Sequence, residues 1–170
     1  GIGLVADLTR LGVMLKGINV LLLGAGGASR GAIGPLLDAG VKQLVLANRT
    51  VSKAQAIAAN FSPRVSACGY ADIPLQPYQL VINATSSGLS GERPLIGPQH
   101  LQHCLLAYDM LYGAAPTPFL QWAKAEGVPQ QADGLGMLLS QAAEAFYIWR
   151  GKRPDITPVL AVLKQQLSGN

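Results

Sequence analysis

The chain has 170 residues and a mass of 17.8 kDa, enough for one domain with its own hydrophobic core and too little for two of ordinary size. Hydrophobic residues make up 49% and charged residues 13%, against about 25% charged in an average soluble domain, which excludes a disordered, highly charged segment. The net charge of +4 comes from scattered residues with no Lys/Arg cluster, so it suits a small anionic ligand and gives no footprint for a nucleic acid.

In chain order, apolar Ile2, Val5, Leu8 and Leu11 recur at helical spacing over residues 1–14. Residues 18–23 form an apolar run ending in glycines, the pattern of a strand buried on both faces. A helix is predicted over 27–39, a strand over 43–47 and an Ala-rich helix over 51–61. Strands follow at 65–67, 80–83 and 105–109. Thr117-Pro118 and Thr157-Pro158 each open a helix, the Thr hydroxyl accepting a first-turn N–H and the Pro losing no bond. Residues 135–149 form a long helix of Ala, Leu and aromatics. Strands alternating with helices predict a Rossmann-like, doubly wound α/β fold, with a mainly parallel sheet and helices on both faces. No apolar run approaches the roughly 20 residues of a membrane span. Cys68 and Cys104 are isolated, which points to a reduced, cytoplasmic setting.

The strongest local signal is the stretch Gly24-Ala25-Gly26-Gly27-Ala28-Ser29 between the first strand and its helix. Gly24 permits a tight turn, Gly26 lets a pyrophosphate approach the backbone, and the helix N-terminus offers unpaired N–H groups to that anion. Ser29 replaces the third fingerprint glycine and is small enough for close packing. About 20 residues beyond the glycines, an NAD site carries an acid for the ribose hydroxyls. Here the position holds Asn48, followed by Arg49, Thr50 and Lys53, and no carboxylate falls between Asp38 and Asp72. Two cations and no acid favour NADP, whose extra phosphate an acid would repel. His100, His103 and Cys104 are close in sequence, but no further Cys/His cluster completes a metal site.

These residues resemble the shikimate dehydrogenases. The resemblance rests on residues 24–31, Asn48-Arg49-Thr50, Asn83-Ala84-Thr85-Ser86-Ser87-Gly88, Tyr108-Asp109-Met110-Leu111-Tyr112 and Ala132-Asp133-Gly134-Leu135-Gly136-Met137 with Gln141, in the family's order and spacing. It implies reduction of 3-dehydroshikimate to shikimate with NADPH, in the route to aromatic amino acids. It also implies a 2′-phosphate clamp of Asn48, Arg49, Thr50 and Lys53. Asn83, Thr85 and Ser86 would serve the nicotinamide-ribose side, and Met110, Gly134 and Met137 would border the nicotinamide. Tyr112 and Gln141 would reach the substrate. The family's catalytic Lys and Asp belong to an N-terminal substrate domain with no counterpart here. The chain is therefore expected to be one domain of a longer enzyme, binding NADP and turning over little alone. The stretches 1–14 and 135–168 are expected to face or link to the missing domain, leaving an apolar patch that a homodimer contact could cover. A quinate/shikimate dehydrogenase using NAD or NADP, and a non-catalytic dinucleotide sensor, are the alternatives.

Overall fold

The computed structural model describes residues 1–169. Its elements in chain order are α1 (Ile2–Arg10), β1 (Asn19–Leu23), α2 (Gly27–Asp38), β2 (Gln43–Ala47), α3 (Val51–Ala58), β3 (Val65–Cys68), β4 (Leu80–Asn83), β5 (Leu106–Asp109), α4 (Pro118–Ala125), β6 (Gln130–Ala132), α5 (Leu135–Arg150) and α6 (Thr157–Gly169). Short 3-10 turns lie at Tyr70–Asp72, Ser87–Ser90 and Pro98–Leu101. The six strands form one sheet in the order β3-β2-β1-β4-β5-β6, and every pairing is parallel. This is the doubly wound order, with the chain reversing direction across the sheet between β1 and β4.

The apolar run of β1 lies at the centre because both of its faces are covered. Val20 and Leu22 join Leu44, Leu46, Leu80 and Ile82 under Ile33 and Leu36 of α2, Leu4 and Leu8 of α1, and Ala54 and Ile57 of α3. Leu21 and Leu23 point the other way, with Val45, Val81 and Ala107 against Phe119, Leu120 and Ala123 of α4. The register then places Leu23 level with Ala47 and Asn83, and Asn83 level with Asp109. Four loops therefore leave the sheet along a single edge, where open α/β sheets bind their ligands.

Two predicted helix ends move by three residues or more, and one predicted cap is not made. The first helix stops at Arg10, and the chain turns at Gly12, whose φ is +85°. α3 stops at Ala58 because Asn60 and Phe61 donate to Ile57 and Ala58, tightening the last turn to three-residue spacing. The last helix is not capped by the Thr157 hydroxyl; the Thr157 N–H itself donates to the Asp155 carboxylate at 3.0 Å. Thr117 does cap α4, accepting from the Leu120 N–H at 3.3 Å. β6 has no sequence signature, since Gln130-Gln131-Ala132 is polar and is held by pairing to β5.

The expected apolar face of residues 1–14 and 135–149 is divided. Leu4, Asp7 and Leu8 of α1 and Leu135, Gly136 and Ser140 of α5 are buried, because the two helices pack on each other. The exposed apolar residues are mostly at the far half of α5, where Ile148 is 81% and Trp149 85% exposed, with Ile2, Met14 and Leu138 besides. No helix among the described residues is long and apolar enough to cross a membrane.

Candidate dinucleotide-binding site

The glycine loop follows β1 at the switch point. Gly24 has φ +106°, and a Cβ there would come within 3.0 Å of the Ala84 carbonyl, so the turn requires glycine. Its N–H donates to the Ala47 carbonyl at 2.8 Å, tying the loop to β2. Gly26 caps α2 with no side chain, and the space that a Cβ would fill at Gly26 or Gly27 is open. The first-turn N–H groups of α2 thus face a free volume bounded by backbone. Ser29 does not reach it; it is buried and its hydroxyl donates to the Gly24 carbonyl at 2.5 Å, closing the loop from beneath. A cavity of about 330 Å³ over this turn is lined by Ala25, Gly26, Gly27, Arg30 and Lys53. Arg30 was not among the predicted site residues. Its place one helical turn beyond Gly26 and Gly27 is the signal that could have found it.

A second cavity of about 670 Å³ lies beside it, between Asn48 and Arg49 on one wall and the loop after β4 on the other, with Thr85, Ser86 and Ser87. The Asn48 amide holds the turn by donating to the Thr50 carbonyl at 3.0 Å. Thr50 occupies the N-cap of α3, but its hydroxyl makes no capping bond, so an exposed hydroxyl and the first-turn N–H groups remain at this helix end. Arg49 is exposed and close enough to Tyr70 to pull its phenol down, against the larger upward push of burial. The predicted clamp is therefore spread over two adjoining cavities, with Arg49 in one and Lys53 in the other. Among the residues lining the larger one, Glu92 is the single carboxylate, on the wall opposite Arg49.

Asn83 supports the site from below. It is 1% exposed, its amide donates to Asp109 Oδ2 at 3.1 Å, and its Oδ1 accepts from the Thr85 N–H at 3.0 Å and hydroxyl at 2.6 Å. With both ends so engaged, Asn83 fixes Thr85 and leaves nothing for a ligand. Asp109 also accepts from the Thr117 hydroxyl at 2.6 Å and the Leu111 N–H at 3.0 Å. Burial pushes this carboxyl above its ordinary value, and those donors pull it back.

A third cavity, of about 240 Å³, gathers Ala28, Met110, Met137 and Gln141, with Gly1, Leu4 and the first turns of α2 forming the rest of the wall. Gly134 stands at the N-cap of α5 directly on the Met110 carbonyl, where a Cβ has no room. Tyr112 lies half exposed on the loop beyond and does not line this cavity. Beneath the cavity wall, the fully buried Asp7 carboxylate accepts from the Tyr108 hydroxyl at 2.7 Å and from Arg10 Nε at 2.9 Å. Burial, followed by the Asp7 charge, raises the Tyr108 phenol above its ordinary value. The sequence signal missed here was an acid beside Leu4 and Leu8 on the apolar face of a helix.

A wider cleft of about 820 Å³ lies at the opposite end of the sheet, near Gln79, Leu105, Glu126 and Pro129, away from these loops. His100 is turned inward, its Nδ1 accepting from the Gly97 N–H at 3.3 Å. No group of three or more His, Cys, Asp or Glu is placed to hold a metal ion among the described residues.

A family model described as shikimate/quinate 5-dehydrogenase matches residues 7–111, more than half of the chain. The chain belongs to the shikimate/quinate 5-dehydrogenase family. A second model, of the shikimate 5′-dehydrogenase C-terminal domain, matches residues 134–164. The shikimate dehydrogenase (NADP(+)) of Cellvibrio japonicus (strain Ueda107) is 50% identical over 169 residues, covering 98% of this chain and 61% of that protein. The enzyme of the same name from Aeromonas salmonicida (strain A449) is 50% identical, with 98% and 62% covered. The crystal structure of an Ael1 enzyme from Pseudomonas putida matches with a TM-score of 0.90 at 44% identity, over 100% of this chain and 62% of that one. This family member thus spans 61% and 62% of the two curated relatives' lengths.

Proposed function

We propose that the chain is the NADP(H)-binding unit of a shikimate dehydrogenase, which interconverts 3-dehydroshikimate and shikimate by hydride transfer. The observation that carries the cofactor reading is the end of β2, where Asn48 and Arg49 line the cavity in place of an acid and the next residue, the exposed Thr50, leaves the α3 N-terminus without a side-chain cap. A 2′-phosphate there meets a guanidinium, a hydroxyl and a helix N-terminus. The open first turn at Gly26 and Gly27, flanked by Arg30 and Lys53, suits a pyrophosphate. Both curated relatives described above carry NADP(+) in their names, which supports the same choice.

NADPH, when bound, would supply the hydride. The protein's part would be to hold the nicotinamide at the small cavity between Ala28, Met110 and Met137, whose walls are mostly apolar. Gln141 lies at the same cavity and can both donate to and accept from a substrate hydroxyl. Tyr112, two residues past Met110 and half exposed, is assigned to the substrate side. The walls of this cavity carry no acidic or basic side chain among the described residues. The proton that accompanies the hydride then comes from elsewhere in the parent enzyme, and the 170 residues alone bind cofactor with little turnover. The exposed end of α5 is the surface for the rest of that enzyme or for a second copy of the chain.

Titration of the protein with NADPH and NADH, read by nicotinamide fluorescence, tests the cofactor assignment. NADPH is expected to bind tighter by roughly 10–100-fold, the span of a charge-assisted hydrogen bond. Arg49→Ala should erase most of that preference while leaving NADH affinity within about twofold. Equal affinity of the wild-type protein for the two cofactors would overturn the reading.

A further inference from the structure

Arg93 has no part in the contacts assigned so far, yet its side chain is held on two sides. Its guanidinium lies over the indole of Trp122 on α4, 3.9 Å from the ring centroid. The same group donates through Nη1 to the carbonyls of Pro94 at 3.0 Å and Ile96 at 3.1 Å. Trp122 in turn leans on the buried Phe119, with ring centroids 6.3 Å apart. A planar guanidinium can stack and donate in its plane together, which an ammonium cannot.

The loop that Arg93 fastens has few other anchors. Leu89 and Leu95 are exposed, and the backbone between is held by short turns, such as the Glu92 N–H on the Ser87 carbonyl at 3.0 Å. This loop, through Ser90, Glu92, Arg93 itself, Pro94 and Leu95, is the wall of the 670 Å³ cavity opposite Asn48 and Arg49, and the Arg93 guanidinium is turned onto Trp122 and the Pro94 and Ile96 carbonyls. It contributes nothing to the cavity at Met110 and Gln141. We propose that the Arg93–Trp122 stack latches the adenosine-side wall of the cofactor site, which makes Arg93 a positioning residue for the 2′-phosphoadenosine half of the cofactor. The proposal rests on the NADP(H) reading. A wall fixed before binding spares the cofactor the cost of ordering it.

Two cofactor fragments separate this role from general stability. Adenosine 2′,5′-bisphosphate probes the adenosine side, and reduced nicotinamide mononucleotide probes the other. Arg93→Ala is expected to weaken the bisphosphate by about fivefold and to leave the mononucleotide unchanged. Arg93→Lys should not restore the loss. Unchanged bisphosphate affinity, or equal weakening of both fragments, would overturn the latch while leaving the cofactor assignment in place. Wild-type protein that binds neither NADPH nor the bisphosphate removes both. Should Arg93→Ala fail to fold, Trp149→Phe leaves Trp122 as the sole indole. Its emission should then shift when the bisphosphate is added and stay constant with the mononucleotide; no shift with the bisphosphate counts against the latch.

Discussion

Asp7 is a carboxylate where helix α1 needs an apolar side chain, and its setting explains why it is tolerated. It has no exposed surface, but it receives the Tyr108 hydroxyl at 2.7 Å and Arg10 at 2.9 Å. Removing it strands a buried phenol and the Arg10 charge, whereas an amide in its place still offers an acceptor. Asp7→Ala is expected to cost about 3 kcal/mol, roughly 10 °C in Tm, and Asp7→Asn about a third of that. Thermal denaturation of both variants beside Arg10→Ala checks this. Arg10 is partly exposed, so its own removal should cost about 1 kcal/mol or less. An Asp7→Ala loss no larger than that of Arg10→Ala would show that the Tyr108 bond contributes nothing. The same residue marks a limit of the sequence. Gly24, Gly26, Arg49 and Lys53 are legible because their chemistry is local: a turn, a helix end and a charge. Asp7 and Tyr108, like Asn83 and Asp109, meet only across elements, with no signal in their spacing. Asn83 and Ser29 show the complementary limit, since each lies in a recognised motif yet spends its polar atoms inside the protein.

Between elements, α1 and α5 approach closely through two glycines. A Cβ at Gly3 would collide with Gln141 and the Met137 carbonyl, and one at Gly136 with the Asp7 carboxylate. The contact therefore seats Gln141 and Met137 at the small cavity, and it exists only because Gly3 has no side chain where α5 brings Gln141 and Gly136 has none where α1 brings Asp7. In an exposed helix interior, Gly→Ala gains about 1 kcal/mol; here overpacking of about 1–3 kcal/mol opposes it. Gly136→Ala should therefore be destabilising by about 1 kcal/mol in urea unfolding. Gly31→Ala in α2, an exposed position where nothing beyond its own helix stands within 4 Å of the new Cβ, should be stabilising by up to about 1 kcal/mol. The same sign for both would mean that the close crossing is relaxed in solution. At this scale the sequence spoke clearly wherever one element was apolar enough by itself, as in β1, β2 and β4. It was silent on β6, whose three residues are fixed by pairing with β5, and on the α1–α5 crossing, where the informative residues have no side chains.

For the whole molecule, the decisive feature is how α5 divides along its length. Its first half buries Leu135, Gly136 and Ser140 on the side packed against α1 and borders the cavity of Met137 and Gln141. Its second half presents Phe146, Tyr147, Ile148 and Trp149 to solvent, and α6 adds exposed Val159, Val162 and Leu167. Single exposed apolar residues are ordinary on any surface, but a contiguous group of large ones marks an interface. The turn that carries this group is itself well defined. Gly151 takes φ +72°, Arg153 pairs with Glu144 at 2.7 Å, and its guanidinium lies 4.2 Å from the Tyr147 ring centroid. The apolar residues are thus presented by an ordered corner, and a net charge of +4 offers little repulsion between copies. The protein is expected to self-associate through it, with a mass by sedimentation velocity that climbs above 17.8 kDa as concentration rises. Replacing Ile148 and Trp149 by Lys together should return it to monomer without altering NADPH affinity, because neither residue borders the cofactor cavities. A wild-type protein that stays at 17.8 kDa across the concentration range would exclude a second copy as the occupant of this corner.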